Sequence, residues 1–133
     1  MKIAVRYYSK LGNTKAIAEA IAEEAGVPAI SIVDENELKE HYDLLFIGGA
    51  PYANIMAPAL REYAKSISPD NVDRIVLFTT SNWSRRTVRA LKRIFLEKGI
   101  VVEEDYFYAH MTRIKAKLAP AKQFARKMIN SLN

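Results

Sequence analysis

Apolar residues follow two alternating patterns along the chain. Short runs such as DLLFIG and DRIVLFTT are typical of strands that are covered on both faces of a sheet. The run VPAISIV contains a proline, which favours an early or edge position in that sheet. The predicted strands cover residues 2–8, 27–33, 43–48, 73–80 and 100–109.

Between these runs, apolar residues recur with a period near 3.6, which indicates amphipathic helices. The first is expected over 14–25, with Asn13 or Thr14 as its N-cap and Gly26 at its end. Pro120 is expected to be the first residue of the last helix. The remaining helices are predicted over 34–41, 57–66 and 85–98. The core-facing residues of the helix over 85–98 are expected to be Val88, Leu91, Phe95 and Leu96. Those of the helix that begins at Pro120 are expected to be Phe124, Met128 and Leu132.

This order of elements predicts an α/β fold. Connections long enough to hold a helix join parallel strands, so we expect a five-stranded parallel sheet with helices on both faces. At 133 residues the chain is expected to form one domain, spanning residues 1–133.

Composition and charge narrow the possible functions. The chain has no cysteine, which excludes disulfides and thiolate chemistry. It has no apolar run of membrane-spanning length and no signal-peptide pattern at its start, so we expect it in the cytoplasm and not in a membrane. Residues 85–133 contain 12 Lys or Arg and 4 Asp or Glu. Such a basic half favours an anionic partner, although a solvated helix face would look the same.

Three loops with unusual composition follow predicted strands. They cover 8–14, 48–58 and 80–84. In open α/β sheets, ligands bind beyond the carboxyl ends of the strands, where the strand order reverses. The three loops are therefore expected to form one ligand site.

The first of these loops has the features of an anion site. Gly12 allows a close backbone approach, and the first N–H groups of the following helix point toward a ligand. Ser9, Asn13 and Thr14 add hydroxyl and amide donors. The loop lacks the Gly-Lys-Ser/Thr ending of nucleotide-hydrolysing loops and the GxGxxG of dinucleotide sites. For this loop alone, a simple helix cap is an equally good interpretation.

The sequence YSKLGNT over 8–14 resembles the phosphate loop of flavodoxins, Ser/Thr-x-Thr-Gly-Asn-Thr, which directly follows the first strand. GGAPY over 48–52 and TSNW over 80–83 are similar to the two flavin-flanking loops of that family. The resemblance implies a three-layer α/β/α sandwich with strand order 2-1-3-4-5. It also implies noncovalently bound FMN and electron transfer to a protein partner.

The resemblance assigns the phosphate to the first loop and the flavin ring to the other two. Trp83 is expected on one ring face and Tyr52 on the other face or at the ring edge, with the backbone of Gly49 at the reducible edge. Ser81 and Asn82 are expected at the pyrimidine side. The expected cofactor-binding residues are Ser9, Lys10, Leu11, Gly12, Asn13, Thr14, Gly49, Ala50, Pro51, Tyr52, Ala53, Thr80, Ser81, Asn82 and Trp83.

The chain departs from the family pattern at three points. Leu11 replaces a threonine, the loop over 81–84 is short and has no acid, and the pI is near 9.5. Basic surroundings favour the anionic reduced flavin, so we expect a less negative potential than in acidic flavodoxins. They also favour a redox partner with an acidic docking surface.

Two alternatives remain open at this point. One is a binding or regulatory module that has kept the fold and lost FMN, which Leu11 and the short third loop favour. The other is a small FMN-dependent reductase or activator.

Other functional classes find little support in the sequence. His41 and His110 are isolated and are expected to be solvated, with no metal-ligand spacing and no nucleophile–base pair. A receiver domain would need acidic residues after the first and third strands, where the chain has RYY and GG. The helix over 85–98 lacks the interleaved aromatics of nucleic-acid-binding proteins, so nucleic acid is not expected as a partner.

Overall fold

The computed structural model describes all 133 residues. The elements are β1 (Ile3–Tyr8), α1 (Asn13–Ala25), β2 (Ala29–Ser31), β3 (Tyr42–Gly49), β4 (Pro51–Tyr52), β5 (Ile55–Met56), α2 (Pro58–Ser66), β6 (Val72–Ser81), α3 (Arg86–Glu97), β7 (Val101–Val102), β8 (Phe107–His110) and α4 (Ile114–Leu132). A parallel sheet has the order β2-β1-β3-β6, and its fifth position is shared by β7 and β8, which both pair with β6. The predicted order 2-1-3-4-5 is therefore confirmed.

The sheet separates two hydrophobic cores. Leu45 and Ile47 of β3 face the core under α2 and α3, whereas Leu44 and Phe46 face the core under α1 and α4. Side chains alternate between the two faces of a strand, so a strand covered on both faces is apolar throughout. This explains the continuous apolar runs, and the predicted three-layer sandwich is confirmed. No helix of the chain combines the length and the apolar character that crossing a bilayer requires.

The helix ends show where the capping predictions were right and wrong. Gly26 ends α1 in the left-handed conformation, at φ 72°, as predicted. At the start of α1, Gly12 is the N-cap, at φ 95°, and Asn13 and Thr14 are the first helical residues. The prediction of a side-chain N-cap was wrong, because a glycine turn orients the helix start in place of a polar side chain.

Two further predictions, one for residues 34–41 and one for the helix over 85–98, were also wrong. Residues 34–41 form turns and no helix, because Glu35 pairs with the buried Arg6 and Leu38 inserts into the core. Leu96 is 52% exposed, and Ile94 packs inward in its place.

The last strand and the last helix differ from the prediction in their boundaries. The strand predicted over 100–109 is interrupted at 103–106, and α4 begins six residues before Pro120. The proline removes one N–H bond to the carbonyl of Ala116, and that residue is exposed, so water can replace the bond.

A short hairpin follows β3 and was not predicted. Its strands β4 and β5 pair in antiparallel fashion, with Tyr52 opposite Ile55. The turn residues Ala53 and Asn54 both have positive φ, 51° and 61°. This is the backbone of a two-residue hairpin turn, which usually contains glycine. Because this turn contains alanine and no glycine, the hairpin has only a weak signal in the sequence.

Candidate functional site

The three predicted loops meet at one cavity of about 270 Å³, beyond the carboxyl ends of β1, β3 and β6. None of the residues around it carries a formal charge. The lining residues are Ser9, Leu11, Asn13, Thr14, Ala50, Pro51, Tyr52, Asn54, Thr80, Ser81, Asn82, Ser84 and Met111.

The first loop and the start of α1 contain backbone N–H groups that have no partner, and most of them belong to residues that line the cavity. The N–H of Gly12 donates to the Ser9 hydroxyl at 3.0 Å, which closes the turn. The N–H groups of Leu11, Asn13, Thr14 and Lys15 donate to no group of the chain. Unpaired N–H groups at a helix start carry the positive end of the helix dipole, so they favour an anion.

The Thr14 hydroxyl has a structural partner. It lies 2.8 Å from the Thr80 hydroxyl, and both side chains are buried. This bond joins the first turn of α1 to the end of β6 and thereby fixes two of the three loops relative to each other. The two threonines line the cavity, but their hydroxyls are engaged with each other.

Three asparagines present free side-chain amides at the cavity. Asn13, Asn54 and Asn82 come from three different loops, and none of their amides has a hydrogen-bond partner in the chain. An amide offers two N–H donors and one carbonyl acceptor. These groups can therefore recognise a ligand that has both donors and acceptors along one edge.

Tyr52 forms a wall of the cavity, and both its hydroxyl and its ring make contacts within the chain. Its hydroxyl accepts the Lys10 N–H at 2.8 Å, and its ring lies edge-on to Tyr8 at 6.2 Å. The Lys10 ammonium lies 4.6 Å from the ring centre. Burial raises the pKa of Tyr52 above its ordinary value of 10.0, so the ring presents a neutral surface near neutral pH.

The two glycines at the end of β3 are required by packing. A Cβ on Gly48 would lie 2.2 Å from the Phe78 carbonyl oxygen, and a Cβ on Gly49 would lie 2.6 Å from Leu60 Cδ2. The Gly49 carbonyl accepts the Thr79 hydroxyl at 2.7 Å. Gly49 is buried and does not line the cavity. The close contact of β3 with β6 and α2 therefore explains both glycines without any role for a ligand.

Trp83 lies at the same end of the sheet but outside the cavity lining. Its side chain is 75% exposed, its φ is 67°, and its ring packs against His110 at 4.7 Å. The backbone is fixed because its N–H donates to the Tyr108 hydroxyl and its carbonyl accepts from Arg85, both at 2.8 Å. The Ser81 hydroxyl likewise donates within the loop, to the Ser84 carbonyl at 2.7 Å.

The two histidines occupy different environments. His110 was expected to be solvated, which is wrong: its Nε2 is buried without a partner, and its Nδ1 lies 2.8 Å from the Thr112 hydroxyl. His41 is exposed and bonds Asp73 at 2.9 Å. The ligand atoms of His41, Asp43 and Asp73 lie within 4.8 Å of one another, away from the cavity. No spacing in the sequence had indicated this group, and Asp43 already accepts the Lys2 N–H.

The structure brings most of the predicted site residues together and leaves five outside the lining. Lys10, Gly12, Gly49, Ala53 and Trp83 do not line the cavity, although each neighbours a residue that does. Three lining residues were not predicted. Asn54 is in the unpredicted hairpin, Ser84 ends the third loop, and Met111 follows β8. The rule that ligands bind at carboxyl ends of strands could have indicated Met111, because β8 ends there too.

The chain has an open α/β fold with a cavity at the topological switch point of its sheet. The family model described as "Flavodoxin domain" matches residues 4–107. The chain therefore belongs to the flavodoxin family.

Solved structures resemble the whole chain. Oxidised Flavodoxin 1 from Bacillus cereus has a TM-score of 0.83 at 19% identity, with both chains fully covered. A Fusobacterium nucleatum flavodoxin bound to flavin mononucleotide has a TM-score of 0.72 at 14% identity, with 98% of each chain covered. The rubredoxin oxygen:oxidoreductase of Desulfovibrio gigas matches at 0.78 and 17%, covering 98% of this chain and 36% of that one. No curated protein matches the sequence.

Proposed function

We propose that this chain binds FMN noncovalently in the cavity and passes electrons to a protein partner. The observation that carries the proposal is the set of four unpaired N–H groups at the start of α1, next to a cavity without charged side chains. Membership of the flavodoxin family supports the choice of FMN among phosphorylated ligands. When bound, FMN supplies one- and two-electron redox chemistry.

The residues of the first loop fit a phosphate group. Its oxygens are strong acceptors, and the N–H groups of Leu11, Asn13, Thr14 and Lys15 are donors that lack a partner. The Ser9 hydroxyl accepts from Gly12 and keeps its own hydrogen to donate. Thr14 and Thr80 hold the loop in position through their mutual hydrogen bond.

The rest of the cavity suits a flat ring with a polar edge. Tyr52, Ala50 and Pro51 offer apolar surface on one side, and Met111 adds a polarisable side chain. The free amides of Asn54 and Asn82 can pair with ring nitrogens and carbonyl oxygens. Trp83, at the rim, is proposed to cover exposed ring surface. The cavity, of about 270 Å³, is slightly smaller than the usual range for ligand sites, about 300–1,000 Å³, so part of the ring would stay accessible to a partner.

A paired titration with FMN and riboflavin tests the proposal, because riboflavin lacks only the phosphate. We expect FMN fluorescence to fall on binding and riboflavin to bind at least about 100-fold more weakly, which is the loss of two charge-assisted hydrogen bonds of about 1.5 kcal/mol each. Failure to bind FMN would contradict the proposal. It would favour the alternative that the chain is a flavodoxin-fold binding module, for which the 78% exposed Leu11 is the supporting observation.

A further inference from the structure

An open groove of about 530 Å³ lies beside the cavity, between α2, α3 and β5. Four of its seven lining residues are arginines, and none is acidic. The apolar residues among them are Ile55, Met56 and Ala90. The four arginines of this groove, called here the arginine groove, are Arg61, Arg86, Arg89 and Arg93.

Helical spacing places these charges on one surface. Arg86, Arg89 and Arg93 lie at positions i, i+3 and i+7 of α3, so they share one face of that helix. Arg61 reaches the same groove from α2. The sequence therefore presents three guanidinium groups in a row along a rigid element and a fourth across from them.

The arginines of the groove differ from most others in the chain because no carboxylate neutralises them. Arg6, Arg74 and Arg126 each pair with a glutamate. The other side of α3 is also paired, since Lys92 contacts Glu104. The four groove guanidinium groups have no ion pair and donate to no acceptor of the chain. Four unpaired like charges repel one another, and an anionic partner would relieve that repulsion.

The arginine groove shares a wall with the cavity. Tyr52 lines the cavity, and its register partner Ile55 lines the groove. Residues directly opposite each other in an antiparallel pair have Cα atoms about 4.5–5.5 Å apart. Ile55 is 56% exposed, so a partner seated on the arginines would cover an apolar side chain next to the cavity wall.

We propose that the arginine groove is the docking surface for an acidic face of a redox partner protein, with Ile55 as its apolar contact. The electron-transfer part of this inference rests on the function proposed above. Arginine is enriched at protein interfaces and pairs with carboxylates in bidentate fashion. The apolar residues among the arginines favour a protein surface over a nucleic-acid backbone, which would offer them no apolar contact.

The test measures binding of a plant-type [2Fe–2S] ferredoxin, chosen as an acidic one-electron carrier, to the full chain with and without FMN. The test variant is Arg89→Glu/Arg93→Glu. The matched control is Lys39→Glu/Lys65→Glu, which changes the net charge equally. Lys39 and Lys65 are exposed and lie near the start of β3 and the end of α2, toward the amino ends of the strands. Melting temperatures of the variants verify folding, and amide shifts of the unchanged chain locate the contact without any mutation.

We expect the test variant to bind ferredoxin at least about tenfold more weakly at about 20 mM salt, and the control to change less than about threefold. The perturbed amides are expected in α3 and β5. Equal weakening by both variants, shifts confined to other surfaces, or tighter binding of duplex DNA than of ferredoxin would overturn the inference.

The two proposals fail separately in this experiment. A chain that takes up no FMN but binds ferredoxin through α3 would contradict the proposed function and support the docking surface. A chain that binds FMN and shows no dependence on Arg89 and Arg93 would contradict the docking surface alone.

Discussion

The cavity and the arginine groove are two adjacent regions that attract negative charge by different means. The cavity has no charged lining residue and offers backbone N–H groups of α1. The groove offers four exposed or half-exposed guanidinium groups without counter-ions. Fixed backbone dipoles suit a small anion held in one orientation, whereas long cationic side chains suit a large partner that binds and leaves. We therefore expect tight binding of a small anion in the cavity and electrostatic attraction of a larger partner at the groove.

The largest effect is expected from a substitution that distorts the backbone of the first loop. Valine at Gly12 must adopt φ near 95°, at a cost of about 1–2 kcal/mol or more for a β-branched residue, and relief of this strain turns the N–H groups away. We expect Gly12→Val to lower FMN affinity at least about tenfold in a fluorescence titration.

Gly26→Val is the matched control for that variant. Gly26 also has positive φ, 72°, and a Cβ would meet nothing there, as at Gly12. The control should lose stability and keep its FMN affinity. Equal loss of affinity in both variants would show that strain in general, and not the orientation of the first loop, lowers binding.

Salt should separate the two regions. Between about 20 and 300 mM salt, screening weakens interactions of exposed charges far more than contacts inside a partly enclosed site. FMN affinity is therefore expected to change less than about threefold, while ferredoxin binding falls more than about tenfold. Calorimetry at both salt concentrations measures the two responses. If the affinities for FMN and for ferredoxin fell by the same factor, FMN would be bound by the exposed cations.

The reduction potential should respond weakly to the groove charges. Arg86 is exposed and unpaired, and one unit charge at about 10 Å in a well-solvated setting contributes under about 1 kcal/mol. Arg86→Gln is expected to make the one-electron potential for forming the fully reduced flavin about 20–40 mV more negative, by loss of a charge that favours the reduced anion. Spectroelectrochemistry measures this value. Lys65→Gln serves as control, and an equal shift there would point to net charge alone.

A third region, the core under α2, should respond only at alkaline pH. The Tyr63 hydroxyl is buried without a hydrogen-bond partner, and its burial raises the pKa of Tyr63 to about 12. Because the ordinary value is 10.0, the unfolded chain loses this proton first, so stability should fall as the pH rises from 10 toward 12.

Tyr63→Phe should remove this alkaline loss of stability. At neutral pH it should be neutral or stabilising by up to about 1 kcal/mol, because no hydrogen bond is lost. Urea unfolding at pH 7 and above pH 10 provides the comparison. Marked destabilisation at pH 7 would show that the hydroxyl has a partner.

Sequence patterns predicted the fold because its determinants are local. The apolar runs of β3 and β6 and the stop at Gly26 depend on burial and backbone preference, which are visible in a single sequence. The turns over 34–41 depend instead on Arg6, which is distant in sequence. The helical start at Ile114 was missed because Pro120 is tolerated inside α4.

The site was predictable to a similar extent. Loops at carboxyl strand ends gave most of the cavity lining. Asn54 was missed because its hairpin has no glycine in the turn. The position of Trp83 depends on a hydrogen bond from its N–H to the hydroxyl of Tyr108 in β8, which is distant in sequence. The arginine groove combines residues of α2, α3 and β5, which only the folded chain brings together.

Amide NMR can detect directly whether the start of α1 binds the phosphate of FMN. The chain is titrated with FMN and, separately, with riboflavin, while the N–H signals of Leu11, Asn13, Thr14 and Lys15 are followed. We expect strong downfield shifts of these four signals with FMN and none with riboflavin. Unmoved signals with FMN bound, or equal shifts with both ligands, would contradict this expectation.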